Sequence, residues 1–212
     1  MAGSVEPTPP ARSDTEAGQT VGVLAIQGGF EAHRDALGRL GATAVEVRRP
    51  GQLDGLDGLV MPGGESTTME KGVAAYGFAG RLREFVASGR PVLGTCAGLI
   101  MLDRGHLGLM DIEARRNAFG RQVHSFEADV TVRGLGSEPL RAVFIRAPWI
   151  EQAGPGVEVL AELDGHPVVA RERNMLVAAF HPELTDDLRL HALFLALGSR
   201  QDMGVGERSS GA

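Results

Sequence analysis

The chain has 212 residues, 43% of them hydrophobic, and a formal net charge of −6 at pH 7. That length allows one domain with a sizeable core. The acidic balance runs against nucleic acid as a partner, since phosphate neutralisation needs a basic surface, and no apolar run is long enough to span a membrane.

Residues 1–20, MAGSVEPTPPARSDTEAGQT, lack the apolar segment of a secretory signal, and their composition predicts a disordered leader. VGVLAI (21–26) is a short apolar run closed by Gln27-Gly28-Gly29, which predicts a buried strand and a tight turn. Phe30, Leu37 and Leu40, with His33 as a marginal fourth, predict a helix over 30–40. TAVEV (43–47) and GLDGLVM (55–61) read as strands, the second ending in Pro62-Gly63-Gly64. FAGRLREFVAS (78–88) is the clearest helix of the stretch that follows, with Gly89 as its stop, and PVLGT (91–95) is a fourth strand. Strands alternating with helices predict parallel pairing through right-handed crossovers.

The second half changes rhythm. SFEADVTV, LRAVFIRAP, VEVLAEL, HPVVARE and MLVAAF are strand-like, and Asp164-Gly165 is a hairpin signal between two of them. A closing helix is expected over 186–197 and a disordered tail over 198–212, which places the folded domain at 21–197. The expected class is α/β: a mainly parallel sheet flanked by helices, with an antiparallel extension. Ligands on such sheets gather at the carboxyl ends of the strands. Three turns fall there: 27–29, 62–66 and 94–98.

The last of these turns holds the chain's single cysteine, which leaves no internal disulfide and fits a reducing, cytoplasmic setting. Gly94-Thr95-Cys96-Ala97-Gly98, between a strand and a helix, is the cysteine form of a nucleophile elbow. The turn would present Cys96 at a helix N-terminus, where the dipole favours thiolate, and leave the Ala97 N–H free for an oxyanion. A small buried hydrophobe at a strand end is the commoner fate of a cysteine. Such a nucleophile needs a base. His33 and His191 on predicted helices, and His124 and His166 beside strands, suit surface or capping roles, while His106 lies in a glycine-flanked loop. His181 differs, because Pro182 biases it to extended backbone, where Glu183, two residues on, faces the same side and can reach its ring. The alternative is a solvated pair at a strand edge.

Pro62-Gly63-Gly64-Glu65-Ser66 allows close backbone approach to a ligand; it lacks the Walker lysine spacing, and an empty turn is the plain alternative. Arg115, Arg116 and Arg121 flank NAFG, either as a solvated face or with one arginine clamping a carboxylate, and Arg146 emerges from an apolar run. No Cys or His pair stands at ligand spacing, so neither metal nor organic cofactor is expected.

Taken in order, GVLAIQG, PGGEST, GTCAGLI, RNAFGRQ, FIRAP and FHPEL resemble the glutaminase subunits of pyridoxal 5'-phosphate synthase complexes, within the class I glutamine amidotransferases. The resemblance covers nearly all of 21–197. It implies Cys96 as nucleophile with His181 and Glu183 completing a triad. It also implies L-glutamine against Gly64, Glu65, Ser66, Arg116, Ile145 and Arg146, and an oxyanion held near Gly63, Gly64 and Ala97. The implied partner is a synthase subunit in a large ring-shaped hetero-oligomer, with no nucleic acid and no membrane involved. MLDRGHLGLMDIEARR (101–116) is shorter than the family pattern, which normally carries a longer loop beside the active site. The triad motifs alone also allow an amidotransferase domain feeding another synthase, and a catalytically idle scaffold is a third class.

Overall fold

The structure, a computed structural model, describes residues 18–119 and 125–202. Arg121, His124 and most of the expected leader and tail lie outside the described residues.

Short apolar runs with β-branched residues cannot stay in water on either face, and five of them pair side by side. β1 (Thr20–Leu24), β2 (Thr43–Val47), β3 (Gly58–Met61), β4 (Val92–Thr95) and the late strand Met175–Ala178 are all parallel. The helix α1 (Phe30–Arg39) connects β1 to β2, α2 (Ser66–Ala75) and α3 (Phe78–Ala87) connect β3 to β4, and α4 (Ala97–Leu102) follows β4. Two short strands that the apolar pattern did not announce, β5 (Ile112–Arg115) and β8 (Trp149–Ala153), make an antiparallel ribbon. A second ribbon joins β6 (Ser125–Val130) to β7 (Leu140–Ile145). β9 (Glu158–Leu163) and β10 (His166–Glu172) form a hairpin whose turn has positive φ at both Asp164 and Gly165, as the Asp-Gly signal requires. With Met175–Ala178 as β11, the main sheet has seven strands in the order β2-β1-β3-β4-β11-β10-β9. The antiparallel extension is therefore β10 and β9, while the ribbons stand apart from the sheet.

α5 (Arg189–Asp202) closes the chain, starting three residues later than expected, where Asp187 accepts a hydrogen bond from the Arg189 N–H at 3.0 Å. Its Leu190 and Phe194 are buried in the core with Leu37, Phe78, Phe85 and Met61. Phe126 and Phe144 stack across the β6–β7 ribbon at 4.7 Å, and Phe144 ties the ribbon to the segment after β11 by meeting Phe180 edge-on at 5.4 Å. No helix among the described residues is long and apolar enough to cross a membrane.

Candidate active site

The strand order reverses between β1 and β3, and the carboxyl ends of β1, β3, β4 and β11 converge there. β4 ends at Thr95 and α4 begins at Ala97, so Cys96 alone makes the turn. It does so with φ 47° and ψ −102°, a backbone conformation that costs a non-glycine residue on the order of 1–3 kcal/mol. The turn is held because the Cys96 N–H donates to Ala178 O at 2.8 Å, extending the β4–β11 ladder by one rung. α4 lies so close to β3 that a Cβ at Gly98 would collide with the Met61 carbonyl, which explains the second glycine of the elbow. The Ala97 N–H opens the first turn of α4 and has no intrahelical acceptor.

His181 follows Phe180 at the end of β11, and its N–H donates to Val143 O of the β6–β7 ribbon at 2.8 Å. Its Nδ1 lies 2.8 Å from Glu183 Oε1, which leaves the other ring nitrogen for Cys96. Burial pushes the imidazole down, but hydrogen bonds to Cys96 and Glu183, and the charge on each, outweigh it and raise the ring to about 10. The spacing that predicted a shared face for His181 and Glu183 therefore holds, through a short 3-10 turn (Pro182–Leu184) rather than an extended strand. Gly63 sits against this pair: a Cβ there would lie 2.8 Å from His181 Nδ1 and 3.2 Å from Cys96 Cβ.

A cleft of about 220 Å³ opens in front of Cys96. That is below the roughly 300–1,000 Å³ of clefts that enclose drug-sized ligands, and suits a single amino acid. Gly64, Glu65, Ser66, Cys96, Ala97, Arg116, Ile145, Arg146 and His181 all line it, as do Gln27, Ile100 and Asn117, which carried no assignment from the sequence. Gly63 and Glu183 stand behind that lining. Ile145 O is 3.9 Å from Cys96 Sγ. The Gly63 carbonyl accepts from the Gly29 N–H at 3.2 Å, so the Gly64 N–H of the same peptide group points the opposite way.

The Glu65 carboxylate is turned onto the N-terminus of α2, accepting from the N–H groups of Thr67 (3.1 Å) and Thr68 (2.8 Å) and from the Thr68 hydroxyl (2.7 Å). The hydroxyl contributes most to holding this carboxyl at about 2, with the two N–H groups behind it. The Glu65 N–H itself donates to Gln27 Oε1 at 2.7 Å. Arg116 reaches Thr67 Oγ1 at 3.3 Å and Glu65 at 3.6 Å, which fixes it at the rim. Arg115 points elsewhere, over the Trp149 ring at 5.4 Å and towards Glu151 at 3.6 Å. Two rim residues, Asn117 and Arg146, hold positive φ, and Asn117 is a residue type that tolerates it.

The surface or capping roles expected of His33 and His191 are corrected: both side chains are fully buried. His33 is on the apolar stripe with Leu37, one turn apart, so the helix that buries Leu37 buries it too. Its Nδ1 is 2.9 Å from His191 Nε2, and its Nε2 is 3.1 Å from Thr95 Oγ1 and 3.2 Å from Glu183 Oε2. His106 pairs with Asp103 at 2.7 Å, and His166 stacks on Trp149 at 3.5 Å.

The sequence pattern of the SNO glutamine amidotransferase family matches residues 23–198. The chain is 52% identical over 182 residues to pyridoxal 5'-phosphate synthase subunit PdxT of Carboxydothermus hydrogenoformans, covering 82% of this chain and 95% of that protein. It is 54% identical over 182 residues to the subunit of the same name from Pelotomaculum thermopropionicum, covering 82% and 93%. A crystal structure of a glutamine amidotransferase superposes with a TM-score of 0.80 at 48% identity, over 84% of this chain and 98% of that one. PurLQS from Thermotoga maritima shares the fold at 16% identity, with a TM-score of 0.68 over 85% and 98%. A parallel sheet with a cysteine elbow at the carboxyl end of β4, matched along nearly its whole folded length, makes this chain a member of the SNO glutamine amidotransferase family.

Proposed function

We propose that this chain is the glutaminase subunit of a pyridoxal 5'-phosphate synthase: it hydrolyses L-glutamine to L-glutamate and ammonia and passes the ammonia to a synthase subunit. The observation that carries the reading is His181, held by Glu183 at one ring nitrogen at 2.8 Å and lining, together with Cys96, a cleft sized for an amino acid. The names of the relatives supply the pathway, and the assembly is read as a cytoplasmic ring of synthase subunits carrying docked glutaminases.

Cys96 attacks the side-chain amide carbon of glutamine as thiolate. The N–H groups of Ala97 and Gly64, on the Gly63-Gly64 turn, receive the oxyanion, each such donor being worth about 2.7–4 kcal/mol in comparable acyl transfers. Ile145 O, 3.9 Å from the sulfur, stands where it accepts from the substrate's amide N–H. Arg116 and Arg146 hold the α-carboxylate, Ser66 lines the wall, and Glu65 acts by fixing α2 and Arg116.

The tetrahedral intermediate collapses when His181 gives its proton to the departing nitrogen, releasing ammonia and leaving a glutamyl thioester. Part of what raises the ring to about 10 is the neighbouring sulfur and its charge. Acylation of Cys96 removes that charge, so the imidazolium becomes a stronger acid at the step that needs one. Water, deprotonated by the now neutral ring, then opens the thioester to glutamate and restores the thiolate.

The test is glutamate release by the chain mixed with its synthase subunit and glutamine. Wild type releases glutamate, while Cys96→Ala loses about 10⁴-fold or more, still binds the synthase, and supports coenzyme synthesis when free ammonia is supplied. Glutamate release by the variant at the wild-type rate removes the nucleophile assignment.

A further inference from the structure

Behind the proposed triad, on the side away from the cleft, lies a second buried pair that the reaction as written does not use. His33 comes from α1 and His191 from α5, 158 residues apart, and their rings meet at 2.9 Å with neither exposed to solvent. Thr95, the last residue of β4 and also fully buried, is 3.1 Å from His33 Nε2. Among the described residues, the buried side-chain polar atoms without a hydrogen-bond partner are Glu183 Oε2 and His191 Nδ1. Glu183 Oε2 is the oxygen that does not face His181, and it lies 3.2 Å from His33 Nε2, to the side of the N–H direction that runs to Thr95.

These contacts fix the protons. A carboxylate only accepts, so His33 Nε2 must carry hydrogen if it is to face Glu183 favourably. His33 Nδ1 is then the acceptor of the 2.9 Å contact, and His191 Nε2 is its donor. His191 Nδ1 is left as a bare lone pair, which fits a buried atom with no partner. The opposite assignment would bury an unpaired N–H there and turn a lone pair of His33 towards a carboxylate. Burial lowers both rings, His191 to about 3 with His33 adding to the effect, so both are neutral.

We propose that His33 is a positioning residue for the amide hydrolysis: as the neutral Nε2–H tautomer, set by His191, it turns the positive edge of its ring to the far oxygen of Glu183, 3.2 Å away, and so orients and charges the carboxylate that serves His181. The inference rests on the glutaminase reading. It extends the line of polar contacts to His191–His33–Glu183–His181 behind Cys96, built from α5, α1, the Pro182–Leu184 turn and the elbow. The titratable groups facing His33 are Glu183, His191 and, beyond the carboxylate, His181.

The variant His33→Leu keeps the volume and removes the N–H, while His33→Gln returns a donor close to the Nε2 position. In the complex with synthase, His33→Leu is expected to lower kcat by about 10- to 100-fold, the range for loss of an outer partner of a working imidazole, with KM little changed. Glu183 then protonates at higher pH, so the acid limb of the kcat profile moves upward, and His33→Gln recovers most of both. His191→Leu, which frees the His33 tautomer, should give a smaller loss in the same direction, and it stands in if His33→Leu fails to fold. A merely structural pair would lower the melting temperature without moving the acid limb. Wild-type kcat and an unmoved acid limb in folded His33→Leu or His191→Leu overturn the inference while leaving the glutaminase in place. Absence of glutamate release by the wild-type complex overturns both.

Discussion

In the parallel half of the main sheet, β3, β4 and β11 are buried at every position, whereas β6 and β7 alternate between buried and open residues along their length. The parallel strands end in the cysteine, the proposed base and the glycine turn, each fixed by backbone bonds within the core. The ribbons end at the rim, where Ile145 and Arg146 stand exposed. Their outer face carries ion pairs such as Arg141–Glu127 at 2.9 Å and Arg141–Asp129 at 3.1 Å. Reacting atoms need fixed positions to a fraction of an ångström, and only packing on both faces supplies that. A substrate rim needs chemistry and access, which a half-open ribbon supplies.

The largest expected effect is in the core. In Cys96→Ala the sulfur no longer supports the imidazolium, so His181, which holds its proton to about pH 10 in the wild type, should lose much of that elevation, as an imidazole NMR titration would read. An unchanged titration would break the proposed pairing. The sign for stability follows. A ring raised above its ordinary 6.5 contributes fully below that pH, and the contribution is lost as pH rises through about 10. Glu183 runs the other way. Burial pushes its carboxyl up, but the His33 and His181 imidazoles hold it below the ordinary 4.5, so its contribution is present above that pH and lost as pH falls through the lower folded value. The variant should therefore lose stability relative to wild type most clearly below about pH 6.5, and the difference should fade as pH rises towards about 10.

Gly98→Ala forces α4 away from the Met61 carbonyl, since the obstacle is backbone. Denaturant unfolding should show a loss of about 1–3 kcal/mol, as for other overpacked cores, with activity falling because the elbow moves. At the rim, Arg146→Ala should raise KM for glutamine by about 10-fold or more, the worth of a charged hydrogen bond, and leave kcat and unfolding near wild type. A fall in kcat with constant KM would shift Arg146 from holding substrate to holding the elbow. The smallest effect belongs to Arg141→Ala on the ribbon face, whose ion pairs are solvent-exposed, and denaturant unfolding should stay near wild type. A loss as large as that of Gly98→Ala would erase the distinction between the two regions.

The sequence alone determined the alternation of strands and helices, the Asp164-Gly165 turn, and the approach of Glu183 to His181, because these depend on residues a few positions apart and on apolar periodicity. The elbow was legible for the same reason: its glycines record a collision that any side chain would suffer. The ribbon strands β5 and β8 were not, since they are short and polar on one face. Nor was the use of the Glu65 carboxylate to cap α2, and Arg116 was separated from Arg115 only through the family resemblance. The farthest miss was the His33–His191 pair. A histidine on an apolar stripe signals burial, but what it meets there depends on α1 and α5 being laid against one sheet end, 158 residues apart. Tertiary packing decided that contact, because a buried imidazole takes its tautomer and its role from neighbours that local sequence does not name.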